Sequence, residues 1–305
     1  MQERVLKVGN FEVVYKNVPL EIANKIFNYE LPFQYFKKEA YIVISSTEES
    51  ELEKKYKEAK ESTHAGEDLP KGWKIRKMDS EFIFFVPKYS SFISVERDDK
   101  NVSIKIGEKL MNERILELGT MDIMQFYTSF LSHSIAFQYD GRNFLLVGNS
   151  QSGKTTLFLQ LLRSLRDLKL ISEERTLING ATVFMISPKG YVRKESSIYL
   201  FDKPIEEYID FRDYVKILPF GKIDFIFQPH FTMNDTYYVE EIETSKLFKP
   251  FIRDWFANVL NKKEVSEIKE MNMQEVEKLP KTAFKFNFSK DSEKTINLFK
   301  EFLRC

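Results

Sequence analysis

The residues best suited to chemistry are Gly148-Asn149-Ser150-Gln151-Ser152-Gly153-Lys154-Thr155-Thr156. Their spacing is G-x-x-x-x-G-K-[ST], the phosphate-binding pattern. A phosphate chain carries several negative charges and needs many donors at short range. Glycines let the backbone turn tightly and bring its N–H groups to the oxygens. The N-terminus of a following helix adds unpaired N–H groups and a partial positive charge. Lys154 would supply a full charge to the β and γ phosphates, and the Thr155 hydroxyl would bind Mg²⁺.

A second chemical feature follows the loop. Leu168-Lys169-Leu170-Ile171-Ser172-Glu173-Glu174 reads as an apolar strand ending in two carboxylates. An acid at the end of a strand beside a phosphate loop can hold Mg²⁺ or its water, or take a proton from an attacking hydroxyl. The other reading is a solvated strand end. Arg193, Lys194 and Arg212 could meet a transferring phosphate or simply lie exposed. Asp224 falls inside an alternating segment with Ile223, Phe225 and Phe227, which places it poorly as a strand-end metal ligand.

The elements that must position these residues are legible around them. Phe144-Leu145-Leu146-Val147 is a short apolar strand. Phe158, Leu161, Leu162 and Leu165 recur at helical spacing. Before the strand, Ile135, Phe137 and Tyr139 alternate, and Asp140-Gly141 is a two-residue hairpin signal. The strand feeding the loop is therefore expected to be the second arm of an antiparallel hairpin. Thr176–Ile178 and Ala181–Ile186 predict another hairpin, through Asn179-Gly180. Pro188-Lys189-Gly190 reads as a turn and 204–215 as helical. Strands are expected over 222–228, 237–242 and 283–288, helices over 245–275, and a last helix through Phe302.

Across all 305 residues, 46 basic and 46 acidic side chains give a formal net charge of zero. That excludes a global electrostatic footprint for nucleic acid or an anionic membrane. Phe is abundant, at 28 residues, and is expected to dominate the core. Cys305 is the only cysteine, so there is neither an intrachain disulfide nor a cysteine metal site. His64, His133 and His230 are too dispersed to suggest zinc. The N-terminus lacks the apolar stretch of a signal peptide, and no apolar run approaches the ~20 residues of a bilayer span. A cytoplasmic setting is expected.

Residues 1–118 read as a smaller β-rich domain without a catalytic signature, and 119–305 as the nucleotide-binding domain, with the boundary near Gly119. The first contains a charged helical insertion, about 47–72. There Ser46 with Glu49 suggests a capping box, and Glu51–Lys55 and Glu53–Lys57 are i,i+4 pairs. Leu52, Tyr56 and Ala59 draw a thin apolar line along it, read as a solvated helix, a flexible insertion or a partner surface. Residues 108–132 read as helical, and His64 as exposed in a loop. The fold class is α/β with a mixed sheet.

His133, the hairpin, the phosphate loop and the strand-end acids together resemble the catalytic domain of HPr kinase/phosphorylase, whose architecture is shared with phosphoenolpyruvate carboxykinase. In that family a histidine opens the first hairpin strand, fifteen residues before the first loop glycine, as His133 stands to Gly148. The family's loop is typically G-x-S-G-x-G-K-S. Gly148, Ser150, Gly153, Lys154 and Thr155 match it, while Gln151 replaces a glycine and Thr155 a serine. Its next strand ends in Asp-Asp after a small residue, where this chain has Ser172-Glu173-Glu174. The match is good over 133–178 and only a pattern of elements beyond.

By this resemblance the loop amides and Lys154 bind ATP, Thr155 and Glu174 hold Mg²⁺, Glu173 is the base toward an acceptor hydroxyl, and His133 stands beside the phosphate. The function implied is γ-phosphoryl transfer to a Ser/Thr-type hydroxyl of a peptide or small protein. HPr kinase-like proteins of similar length include kinases of lasso-peptide precursors. Homo-oligomeric assembly is implied as well. The family's basic loop motif for dephosphorylation is absent, so phosphorylase activity is not expected. The alternative of a different class is an ATP-binding regulatory or assembly protein.

Overall fold

A computed structural model of the chain describes residues 3–8, 11–19, 22, 40–62, 72–98, 101–112, 130–149, 151–174, 176–185, 188–248 and 262–304. Ser150, His64, Gly119, Cys305, most of the helical segments expected at 19–27 and 108–132, and part of that at 245–275 lie outside the described residues. The chain divides into two compact units, Met1–Thr128 with Phe251–Glu270, and Ser129–Pro250 with Met271–Cys305. No helix among the described residues is long and apolar enough to cross a membrane.

The first unit is built on strands β1 (Glu3–Val8), β2 (Phe11–Lys16), β3 (Ala40–Thr47), β4 (Lys60–Glu61), β5 (Lys74–Met78), β6 (Glu81–Val86), β7 (Ser91–Arg97) and β8 (Asn101–Gly107). They form one eight-stranded sheet in the order β1-β2-β3-β8-β7-β6-β5-β4. The β2–β3 and β3–β8 pairs are parallel. Alternation in the sequence sets the faces: Val102, Ile104 and Ile106 are all buried on one strand.

Helix α1 (Glu49–Glu58) takes the charged stretch, and it is packed rather than loosely inserted. Leu52 is fully buried and clusters with Ile83 and Phe92 of the sheet. The i,i+4 pairs form, with Lys57–Glu53 at 2.7 Å and Lys55–Glu51 at 3.9 Å. The capping box does not. Glu48 occupies the cap position without a side-chain bond. Glu49 instead accepts from Ser91 Oγ at 2.5 Å and from the Lys109 amide at 3.0 Å. Tertiary donors thus outbid the local cap.

The second unit carries β9 (Phe130–Ser132), β10 (Ser134–Tyr139), β11 (Arg142–Val147), α2 (Lys154–Ser164), β12 (Lys169–Ser172), β13 (Thr176–Asn179) and β14 (Thr182–Met185). Then come β15 (Lys189–Val192), α3 (Lys194–Phe201), β16 (Glu207–Asp210), β17 (Lys216–Ile217), β18 (Phe220–Lys222), β19 (Phe225–Phe231) and β20 (Tyr238–Glu243). Helix α4 (Lys262–Val276), whose residues up to Glu270 belong to the first unit, β21 (Thr282–Phe288) and α5 (Ser292–Arg304) complete the described elements. The main sheet runs β17-β12-β10-β11-β19-β21-β20 and a second runs β18-β14-β13-β9. This is a mixed α/β unit with several sheets.

The loop-feeding strand β11 is antiparallel to β10 and parallel to β19, as the hairpin signal implies on one side. Asp140 and Gly141 both sit at positive φ, +51° and +72°, as a tight hairpin turn requires. The β13–β14 hairpin also forms, but its register pairs Asn179 with Thr182. The turn pair is therefore Gly180-Ala181, with Gly180 at φ +60°, rather than Asn179-Gly180. Lys189-Gly190 belongs to β15, not to a turn, and 207–210 is β16, not helix. These two strands pair antiparallel, with Tyr191 opposite Tyr208 and Gly190 opposite Ile209. Cross-strand pairing overrides local helical preference here.

Phenylalanine does dominate the second unit's core. Phe137 stacks on Phe144 at 5.1 Å, and Phe144 stacks on Phe225 and Phe227 at 5.4 and 5.7 Å. Phe299 of α5 closes on Phe144 at 5.2 Å. α2 contributes Leu157, Phe158 and Leu161 to the same cluster.

In the first unit Glu81 is buried, and burial alone would raise its carboxyl pKa. Hydrogen bonds from Ser94 and Lys55, and the Lys55 charge, hold it below the ordinary carboxylate value. A depressed folded-state pKa gives stability that is complete above the unfolded value and is lost as pH falls through the folded one. Urea unfolding of the native chain should therefore weaken on acidification from about pH 7 to about pH 3 more steeply than that of Glu81→Gln. Near neutral pH the substitution should cost about 1–3 kcal/mol.

Candidate functional site

The glycine loop turns at Gly153, the residue before α2, at φ +96°. A Cβ there would lie 2.9 Å from Phe231 Cβ and 3.0 Å from Phe288 Cζ. Glycine is thus required twice, by backbone conformation and by space. The loop is tied to the sheet by Phe231 N–H donating to the Ser152 carbonyl at 3.2 Å. Gln151, which stands where the resembled family has glycine, sits at φ +69°. The position keeps the glycine-type backbone while carrying a side chain.

The loop and its neighbours line a cavity of about 560 Å³. Gln151, Ser152, Gly153, Lys154, Thr155 and Thr156 form one wall. His133, Glu173 and Glu174 line it as well. The structure thus gathers most of the candidates named from sequence. Gly148 and Asn149 bear on it through their carbonyls, which accept from Lys154 Nζ at 2.7 and 3.1 Å. Among the described residues no three His, Cys, Asp or Glu side chains cluster closely enough to hold a metal by themselves.

Electrostatics inside the cavity are unusual. Lys154 is buried, and desolvation lowers its pKa to about 8 against the opposing attraction of Glu173. Glu173 is 2% exposed. Burial raises its carboxyl pKa well above the ordinary value, and the adjacent Glu174 adds to this. Lys154 and Thr155 act in the opposite direction. Glu173 Oε1 accepts from Thr155 Oγ1 at a long 3.5 Å, and Oε2 has no partner among the described residues. A buried oxygen left this way costs free energy unless a ligand's donor or cation meets it. Glu174 is half-buried at φ +62°, and Tyr208 donates to it at 3.4 Å.

Several site residues were not legible in the sequence. Gly190 of β15 lies against Glu173, and a Cβ there would overlap the carboxylate. Ser196, in the first turn of α3, shares a 2.8 Å hydrogen bond with Thr156 of α2. The two helix N-termini are thereby joined at the cavity. Tyr191 and Tyr199 also line it. Of the cations weighed from sequence, Arg193 lines the cavity, whereas Lys194 pairs with Glu206 at 3.8 Å and Arg212 with Asp210. Asp224 accepts from the Asn143 amide at 2.7 Å and caps a strand junction. His230 bonds Asn287 at 2.7 Å, and neither lines the cavity.

No family model matches this chain, and no curated protein matches it. Among solved structures, the HPr(Ser) kinase/phosphatase from Coxiella burnetii superposes on 57% of this chain and 87% of its own, at 11% identity and a TM-score of 0.30. So slight a likeness decides nothing about chemistry, and the site stands on its own geometry.

Two outcomes follow from that geometry. Gln151→Gly should relieve a left-handed conformation and stabilise the chain by about 1 kcal/mol in urea unfolding. Gly190→Ala should destabilise by about 1–3 kcal/mol through overlap with Glu173. Glu173→Asp, one methylene shorter, should remove most of that penalty. The measurement is a double-mutant cycle, with coupling above about 0.5 kcal/mol expected; additive effects would contradict the contact.

Proposed function

We propose that this chain is an ATP-dependent kinase with an HPr kinase-like phosphate-loop domain, moving a γ-phosphoryl group to a Ser/Thr-type hydroxyl of a peptide or small protein. One observation carries the reading. The ammonium of Lys154, the hydroxyl of Thr155 and the unpartnered buried oxygen of Glu173 meet in one cavity, at the N-terminus of α2.

Each group has a task in phosphoryl transfer. The first N–H groups of α2 and the loop amides offer donors to phosphate oxygens. Lys154 adds a charge already inside the cavity, and an incoming polyphosphate would restore its ordinary basicity. Thr155 and Glu174 suit Mg²⁺, which commonly takes only one or two protein ligands beside substrate phosphates and water. When bound, that ion would neutralise charge on the transferring group. Glu173, in its ionised form, has an unpartnered oxygen at the cavity that can take the acceptor hydroxyl's proton. Arg193, at the start of α3, can meet the phosphate from another side of the cavity.

Lys154→Ala should abolish transfer and weaken Mg·ATP binding about tenfold or more, with the circular dichroism spectrum unchanged. Glu173→Gln should keep nucleotide binding but lower the transfer rate about 10²- to 10⁴-fold. Equilibrium binding of ATP, together with mass spectrometry of cell extract incubated with γ-labelled ATP, reads both. Retained transfer in Lys154→Ala overturns the assignment. Tight Mg·ATP binding without transfer to any extract acceptor would instead favour an ATP-binding regulatory protein.

A further inference from the structure

His133 stands at a junction between the two sheets of the second unit. The preceding strand β9 ends at Ser132, which pairs with Thr176 of β13 in one sheet. The following strand β10 starts at Ser134, which pairs with Val147 of β11 in the other. Both serines are buried, and Thr176 Oγ1 donates to the Ser134 carbonyl at 3.1 Å. The backbone on either side of the histidine is therefore pinned, while His133 itself is exposed and lines the cavity. Extending the β10–β11 register by one residue brings His133 opposite Gly148. Gly148 is the residue whose carbonyl takes the Lys154 ammonium at 2.7 Å. The fifteen-residue spacing of the sequence is thus a cross-strand adjacency. It sets the backbone of His133 across from the first residue of the glycine loop.

The nucleophiles around this cavity differ in readiness. A hydroxyl, such as that of Ser196 or Thr156, needs a base to attack. A neutral imidazole carries a lone pair and attacks without one. We propose that His133 is itself a phosphoryl acceptor, so that this chain passes the γ-phosphoryl group of a nucleoside triphosphate through a phosphohistidine.

In the first step a ring nitrogen of His133 bonds to the γ-phosphorus. The bond from that phosphorus to the β–γ bridging oxygen breaks, and the nucleoside diphosphate leaves with its electron pair. The imidazole loses its ring proton to solvent. In the second step a hydroxyl oxygen bonds to the phosphorus, the P–N bond breaks, and the electron pair returns to the ring, which takes back a proton from solvent. Glu173 takes the hydroxyl's proton. The inference rests on the kinase reading for its nucleotide site and adds an intermediate to it.

The test is incubation of the full chain with Mg²⁺ and γ-labelled ATP, without acceptor, followed by rapid quenching. Label should appear on the protein, labile to acid and stable to alkali, and map to residue 133. Added ADP should discharge it to re-form ATP. His133→Asn should bind ATP normally but lose the label at least a hundredfold, and His230→Asn should keep it. Three results overturn the proposal: an acid-stable label, a label that survives in His133→Asn, or transfer to a hydroxyl acceptor with no phosphohistidine trapped. In the last case the kinase reading stands alone. Failure of the native chain to bind ATP removes both.

Discussion

The second unit depends on one constraint: the N-terminus of α2 must open into a space where charge is poorly hydrated. Helix α2 presents unpaired amides and Lys154 there, and the strand after it delivers Glu173 to the same space. Water does not reach either charge well. The ammonium consequently leans on the carbonyls of Gly148 and Asn149, and the carboxyl keeps its proton more readily than usual. Glu173 Oε2 is left without a partner among the described residues.

That constraint propagates into the packing. For α2 to begin at the cavity wall, the chain must reverse sharply at Gly153, and the reversal is wedged against Phe231 and Phe288. Those rings belong to β19 and β21, whose other phenylalanines make the core beneath. The aromatic core and the glycine loop are therefore packed as one piece. A sheet slip of one residue would invert the faces of β19 and β21 and remove the wedge. The abundance of Phe read from composition has this specific consequence: large, two-torsion side chains build a stiff floor at little entropic cost.

What was legible in the sequence was local. The loop, the Asp140-Gly141 turn and the apolar strand of β11 each follow from residues within a short window, and each forms. Where the sequence misled, a distant partner decided. The 207–210 segment joins β15 because Tyr208 and Ile209 find Tyr191 and Gly190 across the ladder. The charged stretch at 49–58 packs because Leu52 finds Ile83 and Phe92. Glu49 abandons its cap because Ser91 and the Lys109 amide are better donors. None of these partners lies within a helical or hairpin window, so no periodicity could announce them. Gly190 is the sharpest example. Read alone it marks a turn, and only the fold shows that it leaves room for an acid.

That room bears on how Glu173 is held. Glutamate carries its carboxylate one methylene farther from the backbone than aspartate would, on one more rotatable bond. A longer acid can be accommodated only if something opposite it is shorter. Gly190 has no side chain at the point where a Cβ would overlap the Glu173 carboxylate. The β15 backbone can therefore approach closely and fix an acid that would otherwise swing on its extra bond. With Thr155 on Oε1 and the strand behind Oε2, Glu173 is held from two sides although it has an additional torsion. The same reasoning applies to Gln151, which keeps a glycine's left-handed backbone without being one.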